Sequence, residues 1–447
     1  MLRRKIESIL LEWKKNPEKK PIVIKGVRQC GKTFSVLKFA QANYRHSVYV
    51  NFVENPDLKM AFYGPKTVDN IVMYLSANMQ GVVFEPRKTC LILDELQDCP
   101  EARTALKFFK MDGRYDVICT GSLLGVKGYG TSKKSQGQNK GTSVPVGYET
   151  IIEMHPLDFE EFLWANGINE EIIALLKNAL ETETPVPEAI HKRMGDLLRQ
   201  YAIVGGMPEA VNVFLASHDI GKVVAVQREI IDEYLDDMVK YADDDMIRNH
   251  IRECFESIPK QLSKENKKFQ YSYVKKGARS SQYTGSLQWI EDAGIIRRCY
   301  NLSITELPLD GNAINDVFKV YMADTGLLMA MLESGTQADV LKGNLLGYKG
   351  AIFESLMADI LGKMGRKLYY FHKDSGLEVD FVIRYKGKCT LMEIKATTGN
   401  IKSTKTILKH PEVYHVESAL KLGDYNIGRS GQVLTLPFYM AFLLTEY

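Results

Sequence analysis

The stretch from Gly26 to Thr33, GVRQCGKT, has the residue types and spacing of a phosphate-binding loop. Its glycines let the backbone curl so that N–H groups face phosphate oxygens, and the N-terminus of the next helix adds a favourable dipole. Lys32 is then placed to reach the β- and γ-phosphates of ATP, and the Thr33 hydroxyl to bind Mg²⁺. The predicted ATP site comprises these residues: Gly26, Arg28, Gly31, Lys32, Thr33 and Phe34.

A second apolar run, from Leu91 to Leu93, ends in the acids Asp94 and Glu95. An apolar strand that ends in two acids is the usual second half of such a site. It predicts that Asp94 holds Mg²⁺ through its ligand shell and that Glu95 polarises the attacking water. The two motifs together predict ATP hydrolysis, with Lys32 and Glu95 as catalytic residues.

Other polar groups are candidates to complete the nucleotide site. A strand-like run ends at Thr120 and Ser122, whose hydroxyl groups suit the sensing of a γ-phosphate, with a plain turn as the alternative. Arg103 and Arg114 flank the helix that follows Glu95. Either arginine is a candidate for the site, and either is also explained as an ordinary solvated charge.

A second set of acids lies in the last hundred residues. An amphipathic helix carries Glu354, and two strand-like runs joined by a basic turn place Asp380 and Glu393 at adjacent positions of a hairpin. Lys395, two residues after Glu393, points to the same face. Two acids and a lysine suit phosphodiester hydrolysis: Asp380 and Glu393, with Glu354 reaching in, would hold one or two Mg²⁺ ions. Lys395 would orient the water or stabilise the pentavalent phosphate. A solvated sheet edge, or a fold without cleavage activity, is the alternative.

The middle of the chain contains a basic segment. Residues 257–300 hold nine Lys or Arg against three acids and read as helix, turn, helix and strand. This layout predicts a winged helix whose DNA-binding residues are Lys275, Lys276, Arg279 and Gln282. A lid or protein-binding role is the alternative, because residues 228–256 carry ten acids against four bases and are able to pair with the basic segment.

The elements that must position these residues follow from periodicity. Short apolar runs alternate with helical patterns through the first 120 residues, which predicts a parallel α/β sheet. Residues 127–146 are rich in Gly, Ser and Lys and are expected to form a mobile loop. From Leu157 to about Tyr241 the pattern is mostly helical.

Composition narrows the class of protein. The 447 residues, at about 150 per domain, indicate about three domains, and the net charge of +3 is close to neutral. Seven scattered cysteines predict free thiols in a reducing compartment. There is no run of about 18 apolar residues, so we expect a cytoplasmic protein that does not span a membrane.

Several strings resemble one group of bacterial and archaeal ATPases of the AAA-plus superfamily: GVRQCGKT, LILDELQDCP, ICTGSLLG, VPVGYETIIEMHPLDFEEFLWANG and VGGMPEAV. These proteins carry a C-terminal domain related to restriction endonucleases, although Val379 stands where the nuclease signature has proline. The resemblance covers essentially the whole chain. It implies a P-loop, RecA-like ATPase core at 1–205, a helical lid with a winged helix at 206–310, and a restriction-endonuclease-like α/β domain at 311–447. It also raises the expectation of a homo-oligomer.

Two functions are therefore expected. The first is an ATPase coupled to a Mg²⁺-dependent DNA nuclease or DNA-binding domain. The second is an ATP-dependent regulatory switch whose nuclease-like domain recognises a partner without cutting it. ATP, Mg²⁺ and DNA are the predicted cofactors and partners.

Overall fold

The structure, a computed structural model, describes residues 1–122, 147–241, 244–264, 267–342, 349–395 and 401–445. The loop predicted at 127–146 therefore lies outside the described residues. The first part of the chain alternates helices and strands: α1 (Lys5–Lys15), β1 (Ile22–Gly26), α2 (Lys32–Asn43), β2 (His46–Asn51), α3 (Val68–Asn78), β3 (Thr89–Asp94), α4 (Pro100–Asp112), β4 (Asp116–Ser122) and β5 (Thr150–Glu153).

These five strands form one parallel sheet in the order β2-β3-β4-β1-β5. Their side chains alternate between two apolar clusters, with Val23 in one and Ile22 and Ile24 in the other, so both faces of the sheet are covered. Strand β4 lies between β1 and β3, and Gly26 pairs with Ser122. The carboxyl ends of these three strands consequently meet at one edge. The prediction of a parallel α/β core is confirmed.

A helical part follows the sheet and ends in two strands: α5 (Phe159–Ala165), α6 (Glu170–Thr182), α7 (Glu188–Val204), α8 (Pro208–Ser217), α9 (Ile220–Tyr241), α10 (Asp245–Leu262), α11 (Tyr271–Val274), α12 (Ser280–Asp292), β6 (Ile296–Leu302) and β7 (Ala313–Met322). Within the described ranges, no helix combines the length and the apolar character needed to cross a membrane.

The last part is again mixed: α13 (Thr325–Met331), α14 (Thr336–Lys342), α15 (Lys349–Lys363), β8 (Leu368–His372), β9 (Glu378–Val379), β10 (Phe381–Tyr385), β11 (Lys388–Lys395), α16 (Lys402–Leu408), α17 (Pro411–Tyr414), β12 (Ala419–Gly423), β13 (Gly428–Ser430) and β14 (Val433–Pro437). Two sheets run β10-β11-β12-β14-β13 and β7-β6-β8-β9. Strand β6 pairs with both β7 and β8. The second sheet therefore contains strands from both sides of residue 310, the position at which a domain boundary is expected from the sequence. The boundaries at 205 and 310 stay predictions.

The pair Gly205-Gly206 lies where the sheet domain, the helical part and the last part meet. Gly205 has φ +67°, and a Cβ there would lie 2.0 Å from Asp324 Oδ1. A Cβ on Gly206 would lie 2.0 Å from the Leu157 carbonyl oxygen. The Gly206 N–H also donates to Asp324 Oδ2 at 2.7 Å. Only glycine permits this close approach of three chain segments.

Candidate functional site

The phosphate-binding loop connects β1 to α2 and depends on its two glycines. A Cβ on Gly26 would lie 2.2 Å from the Met154 carbonyl oxygen, so the loop packs directly on the end of β5. Gly31 has φ +92°, a left-handed conformation that favours glycine, and α2 begins at the next residue, Lys32. Phe34 in the first turn of α2 has 58% of its surface exposed.

Lys32 lies over this loop. Its ammonium donates to the carbonyl oxygens of Gly26 at 3.0 Å and of Val27 at 2.8 Å. The lysine that is predicted to bind phosphates therefore already reaches the backbone that would surround them.

Asp94, at the end of β3, is the centre of the hydrogen-bond network. Its Oδ2 accepts from the Thr33 hydroxyl at 2.9 Å and from the Tyr49 hydroxyl at 2.8 Å. Its Oδ1 accepts from the Glu95 backbone N–H at 3.0 Å and from the Thr120 hydroxyl. Hydroxyl and carboxylate oxygens are the ligands that Mg²⁺ prefers, so Thr33 and Asp94 fit that ion. Thr120, predicted to sense phosphate, is held by Asp94.

Glu95 occupies an unusual backbone conformation next to this network. Its φ is +55°, which is uncommon for a residue other than glycine. The Gln97 side chain donates to the Glu95 carboxylate and accepts from the Ser122 backbone N–H at 3.4 Å. Gln97 thus connects the predicted water-polarising acid to the end of β4.

Helix α9 contacts the phosphate-binding loop from the helical part. The Tyr234 hydroxyl donates to the Arg28 carbonyl oxygen at 3.0 Å, and Arg28 Nε lies 2.8 Å from Asp237 Oδ2. The Gln29 side chain donates to Glu233. Arg28, predicted to bind nucleotide, therefore joins the loop to α9.

The two arginines considered for this site have carboxylate partners. Arg103 Nη2 lies 2.6 Å from Glu149 Oε1, and its Nε donates to both oxygens of that carboxylate. Arg114 pairs with Asp112 at 2.7 Å and with Asp69 at 2.6 Å.

The second set of acids lies on the hairpin of β10 and β11. Phe381 pairs with Met392, so Asp380 lies next to Glu393 across the hairpin. Asp380 Oδ2 accepts from the Ile394 backbone N–H at 2.7 Å. This places the two carboxylates side by side at the start of β10, as the strand pattern predicts.

Lys395 compensates part of this charge. Its ammonium lies 2.7 Å from Glu393 Oε2 and 3.8 Å from Asp380 Oδ2. Burial, and then the charges of Glu354 and Glu393, raise the pKa of Asp380 to about 7. Burial alone would lower the pKa of Lys395, but the two acids raise it, so the lysine stays charged.

Glu354 on α15 has different partners. Its Oε1 lies 3.0 Å from the Lys319 ammonium and accepts from the Tyr321 hydroxyl at 2.7 Å, and its Oε2 pairs with Lys267. Burial favours the neutral acid, but Lys319 and Lys267 outweigh it and hold the pKa of Glu354 at about 2. Glu354, predicted to reach toward a metal, is neutralised by two lysines.

The predicted DNA-binding residues lie in the turn before α12 and in its first turn. Lys275, Lys276, Arg279 and Gln282 are all exposed. Lys275 pairs with Glu253 of α10 at 2.8 Å, which is the internal pairing that the acidic segment allows. Gln282 accepts from the Arg279 backbone N–H at 3.2 Å. This region places basic groups on the surface without indicating what they bind.

Five groups at these sites are not found by sequence reasoning: Tyr49, Gln97, Lys267, Lys319 and Tyr321. Tyr49 has a signal, because β2 and β3 run in parallel and Asn51 pairs with Asp94. The two lysines have none, since they contact Glu354 from distant positions in the chain.

Comparisons with known proteins bear on the first site. The sequence profile of an AAA domain matches residues 18–163, which contain the phosphate-binding loop, Asp94 and Thr120. Residues 18–163 form an AAA-type P-loop ATPase domain. Two further profiles, both of domains of unknown function (DUF8612 and DUF4143), match residues 195–338 and 349–439. They name no activity, so the relation to restriction endonucleases stays a prediction.

Among solved structures, a Walker-type ATPase of Pyrococcus abyssi is similar to this chain, with 14% sequence identity and a TM-score of 0.41. The match covers 74% of this chain and 96% of that one. No curated protein matches the sequence.

Proposed function

We propose that this chain hydrolyses ATP and uses its nucleotide state to control cleavage of DNA by its C-terminal part. The observation that carries the ATP half is the 2.9 Å contact between Thr33 and Asp94, which brings the two predicted magnesium-holding groups together. The cleavage half rests on the adjacency of Asp380, Glu393 and Lys395.

Each residue of the ATP half has its own role. Lys32 exchanges the carbonyl oxygens of the loop for oxygens of the β- and γ-phosphates. Its charge stabilises the transfer of the γ-phosphoryl group to water, with ADP as the leaving group. Thr33 and Asp94 hold Mg²⁺, which when bound neutralises charge on the same phosphates. Glu95, whose carboxylate is held by Gln97, orients the attacking water.

The cleavage half uses a smaller set of groups. Asp380 and Glu393 offer the carboxylate oxygens that suit Mg²⁺, which when bound polarises a phosphodiester and acidifies a water. Asp380, with its pKa near 7, gives up its proton readily at neutral pH. Lys395 stays charged beside both acids and stabilises the additional negative charge that develops on phosphorus oxygens during hydrolysis.

A cleft whose lining includes Glu378, two residues before Asp380, gives the substrate a place to bind. Its volume is about 670 Å³, and it is lined on one side by Lys319, which contacts Glu354. The lining acids are Asp374 and Glu378, of which Glu378 pairs with Lys319. Further lining groups carry positive charge or hydrogen-bond donors, namely Lys268, His372 and Lys373. Such side chains bind phosphates with little dependence on base sequence.

Contacts within the protein support coupling between the two halves. Tyr234 and Asp237 of α9 hold the phosphate-binding loop through Arg28, so a loop that closes on phosphates acts on the helical part. Lys363 of α15 is fully buried in contact with the segments that meet at the two adjacent glycines. The same helix carries Glu354.

The test of this proposal uses purified full-length protein with circular DNA, Mg²⁺ or Mn²⁺, and with or without ATP. We expect hydrolysis of ATP to be lost in Lys32→Ala and Glu95→Gln. Metal-dependent nicking is expected to be lost in Asp380→Asn and to persist in the control Lys405→Met, whose side chain is exposed on α16. Equal ATP turnover in Lys32→Ala contradicts the ATP half, and nicking that survives Asp380→Asn contradicts the cleavage half.

One observation favours a second function, an ATP-dependent switch whose C-terminal part recognises a partner without cutting. Glu354 is neutralised by Lys319 and Lys267. In the part of the chain that the structure describes, no group of three or more His, Cys, Asp or Glu side chains is arranged to hold a metal ion. If ATP is hydrolysed while neither DNA nor RNA is cut under any condition, this second function replaces the first.

A further inference from the structure

A cleft of about 600 Å³ lies where the ATPase domain meets β6 and the segment after α15, and Val27 of the phosphate-binding loop is among its lining residues. The ATPase domain contributes Glu153 and His155, and β6 contributes Arg297 and Arg298. The third wall begins at Arg366, after the end of α15. This volume is in the range of sites that bind small molecules.

Three acids of this cleft pair with a cation, and the fourth, Asp292, accepts a hydrogen bond from a neutral amide. Each has its own partner: Glu153 with Lys25 at 3.2 Å, Glu291 with Arg298 at 3.2 Å, Asp310 with Lys367 at 3.0 Å, and Asp292 with Gln288 at 3.1 Å. Arg366 donates to the carbonyl oxygens of Arg384 and Leu444. Most of the lining charge therefore has an internal structural partner.

Arg297 differs from these groups. Its Nε is buried without a hydrogen-bond partner, and its Nη2 lies 3.5 Å from His155 Nδ1. Within the described ranges, no carboxylate lies within ion-pair distance of its guanidinium. Burial, and then the charge of Arg297, lower the pKa of His155 to about 4, so this neighbour is neutral at pH 7. The charges of Asp359, Glu153 and Glu291 act on Arg297, but none of these carboxylates forms a direct ion pair with it, and a buried cation without a direct partner is costly.

The position of Arg297 is fixed by a glycine on the neighbouring helix. A Cβ on Gly362 would lie 2.3 Å from Arg297 Nε and 2.4 Å from its Cδ. Glycine inside α15 is unfavourable for the helix itself. The chain thus accepts a poorer helix former at the place where Arg297 crosses it.

We infer that this cleft binds a small phosphorylated ligand whose phosphoryl group pairs with Arg297. The planar guanidinium matches phosphate oxygens, which accept the direct hydrogen bonds that no carboxylate of the described residues accepts from Arg297. Tyr300 and Tyr369 also line the cleft, and aromatic side chains are able to contact a planar group such as a base. A ligand here touches the ATPase domain and the C-terminal part at once.

The experiment uses full-length Lys32→Ala protein, so that phosphate binding at the loop is removed. Inorganic phosphate and AMP are titrated while the melting temperature and the heat of binding are recorded. We expect saturable binding that weakens at least tenfold when Arg297→Met is added. Arg193→Met, an exposed arginine on α7, serves as the control and leaves binding unchanged. Tighter binding of AMP than of phosphate identifies a nucleotide ligand, and equal binding identifies the phosphoryl group alone.

Two further results separate a ligand-binding arginine from a structural one. Without ligand, Arg297→Met is expected to melt at the same or a higher temperature, because a buried charged group whose Nε lacks a hydrogen-bond partner has been removed. Gly362→Ala keeps the charge but displaces the side chain, and it is expected to weaken binding as well. The inference is overturned if neither probe binds saturably to the Lys32→Ala protein. It is equally overturned if Arg297→Met lowers the melting temperature and leaves phosphate binding unchanged.

Discussion

Replacing Lys363 by methionine removes a cation from a buried network that joins three parts of the chain. Its ammonium lies 2.9 Å from Asp324 Oδ2 and 2.8 Å from Asp359 Oδ1. It also donates to the Tyr201 hydroxyl at 2.9 Å and to the Leu157 carbonyl oxygen at 3.2 Å. Leu157 follows the ATPase sheet, Tyr201 belongs to α7, and both acids belong to the last part of the chain.

The expected loss of stability follows from the two acids left behind. Breaking a buried ion pair by removing one partner costs about 3–5 kcal/mol. Burial, even against the charge of Lys363, raises the pKa of Asp359 to about 6, so without the lysine this acid takes a proton at pH 7. Asp324 still accepts hydrogen bonds from the backbone N–H groups of Gly206 at 2.7 Å and Gly326 at 3.0 Å. We therefore expect Lys363→Met to lower the free energy of unfolding by about 3 kcal/mol, the low end of that range.

Urea unfolding at pH 7, followed by tryptophan fluorescence, measures this loss. The double variant Lys363→Met with Asp359→Asn removes one of the stranded acids and should recover part of the stability. Lys222→Met, at an exposed position of α9, is the matched control and should change little. A Lys363→Met protein as stable as the control would refute the reasoning, as would a double variant less stable than Lys363→Met alone.

Three other results are expected. Burial lowers the pKa of His155 from 6.5 to about 4, so between these pH values the unfolded chain binds one proton more than the folded chain. The stability of the protein therefore falls as the pH drops from 6.5 to about 4. His155→Asn should reduce this dependence of the melting temperature on pH. Lys267→Met removes a cation from Glu354 and should tighten the binding of Mn²⁺ at the C-terminal acids, measured by electron paramagnetic resonance. An unchanged affinity contradicts the idea that Lys267 competes with the metal ion for Glu354. Arg103→Met strands the buried Glu149 carboxylate and should lower the free energy of unfolding by about 3 kcal/mol in chemical denaturation, and a loss below about 1 kcal/mol contradicts a structural role for the pair.

The ATPase core is largely predictable because its signals are local. Continuous apolar runs such as Leu91 to Leu93 indicate strands that are buried on both faces, and helices between them leave a parallel arrangement as the simplest solution. Local geometry explains both glycines of the loop: a side chain at Gly26 would collide with the backbone, and Gly31 has a positive φ. The hairpin that brings Asp380 beside Glu393 follows from strand alternation and a short turn.

Partners of charged groups are not predictable in the same way. Glu354 is read from the sequence as a metal ligand, but Lys319 comes to it from β7 and Lys267 from the segment before α11. Arg103 is read as a candidate for the nucleotide site, but Glu149 lies beyond the loop of residues 127–146. These pairs depend on how distant segments pack, and no local pattern of residues encodes them.

The most direct test of the account is DNA cleavage measured in three nucleotide states: without nucleotide, with ADP and with a non-hydrolysable ATP analogue. The account predicts Mg²⁺-dependent cleavage that requires Asp380, differs between these states in the native chain, and loses that difference in Lys32→Ala. Cleavage that is the same in all three states, or absent from all of them while ATP is still hydrolysed, would contradict the claim that the phosphate-binding loop controls a phosphodiester-cleaving site.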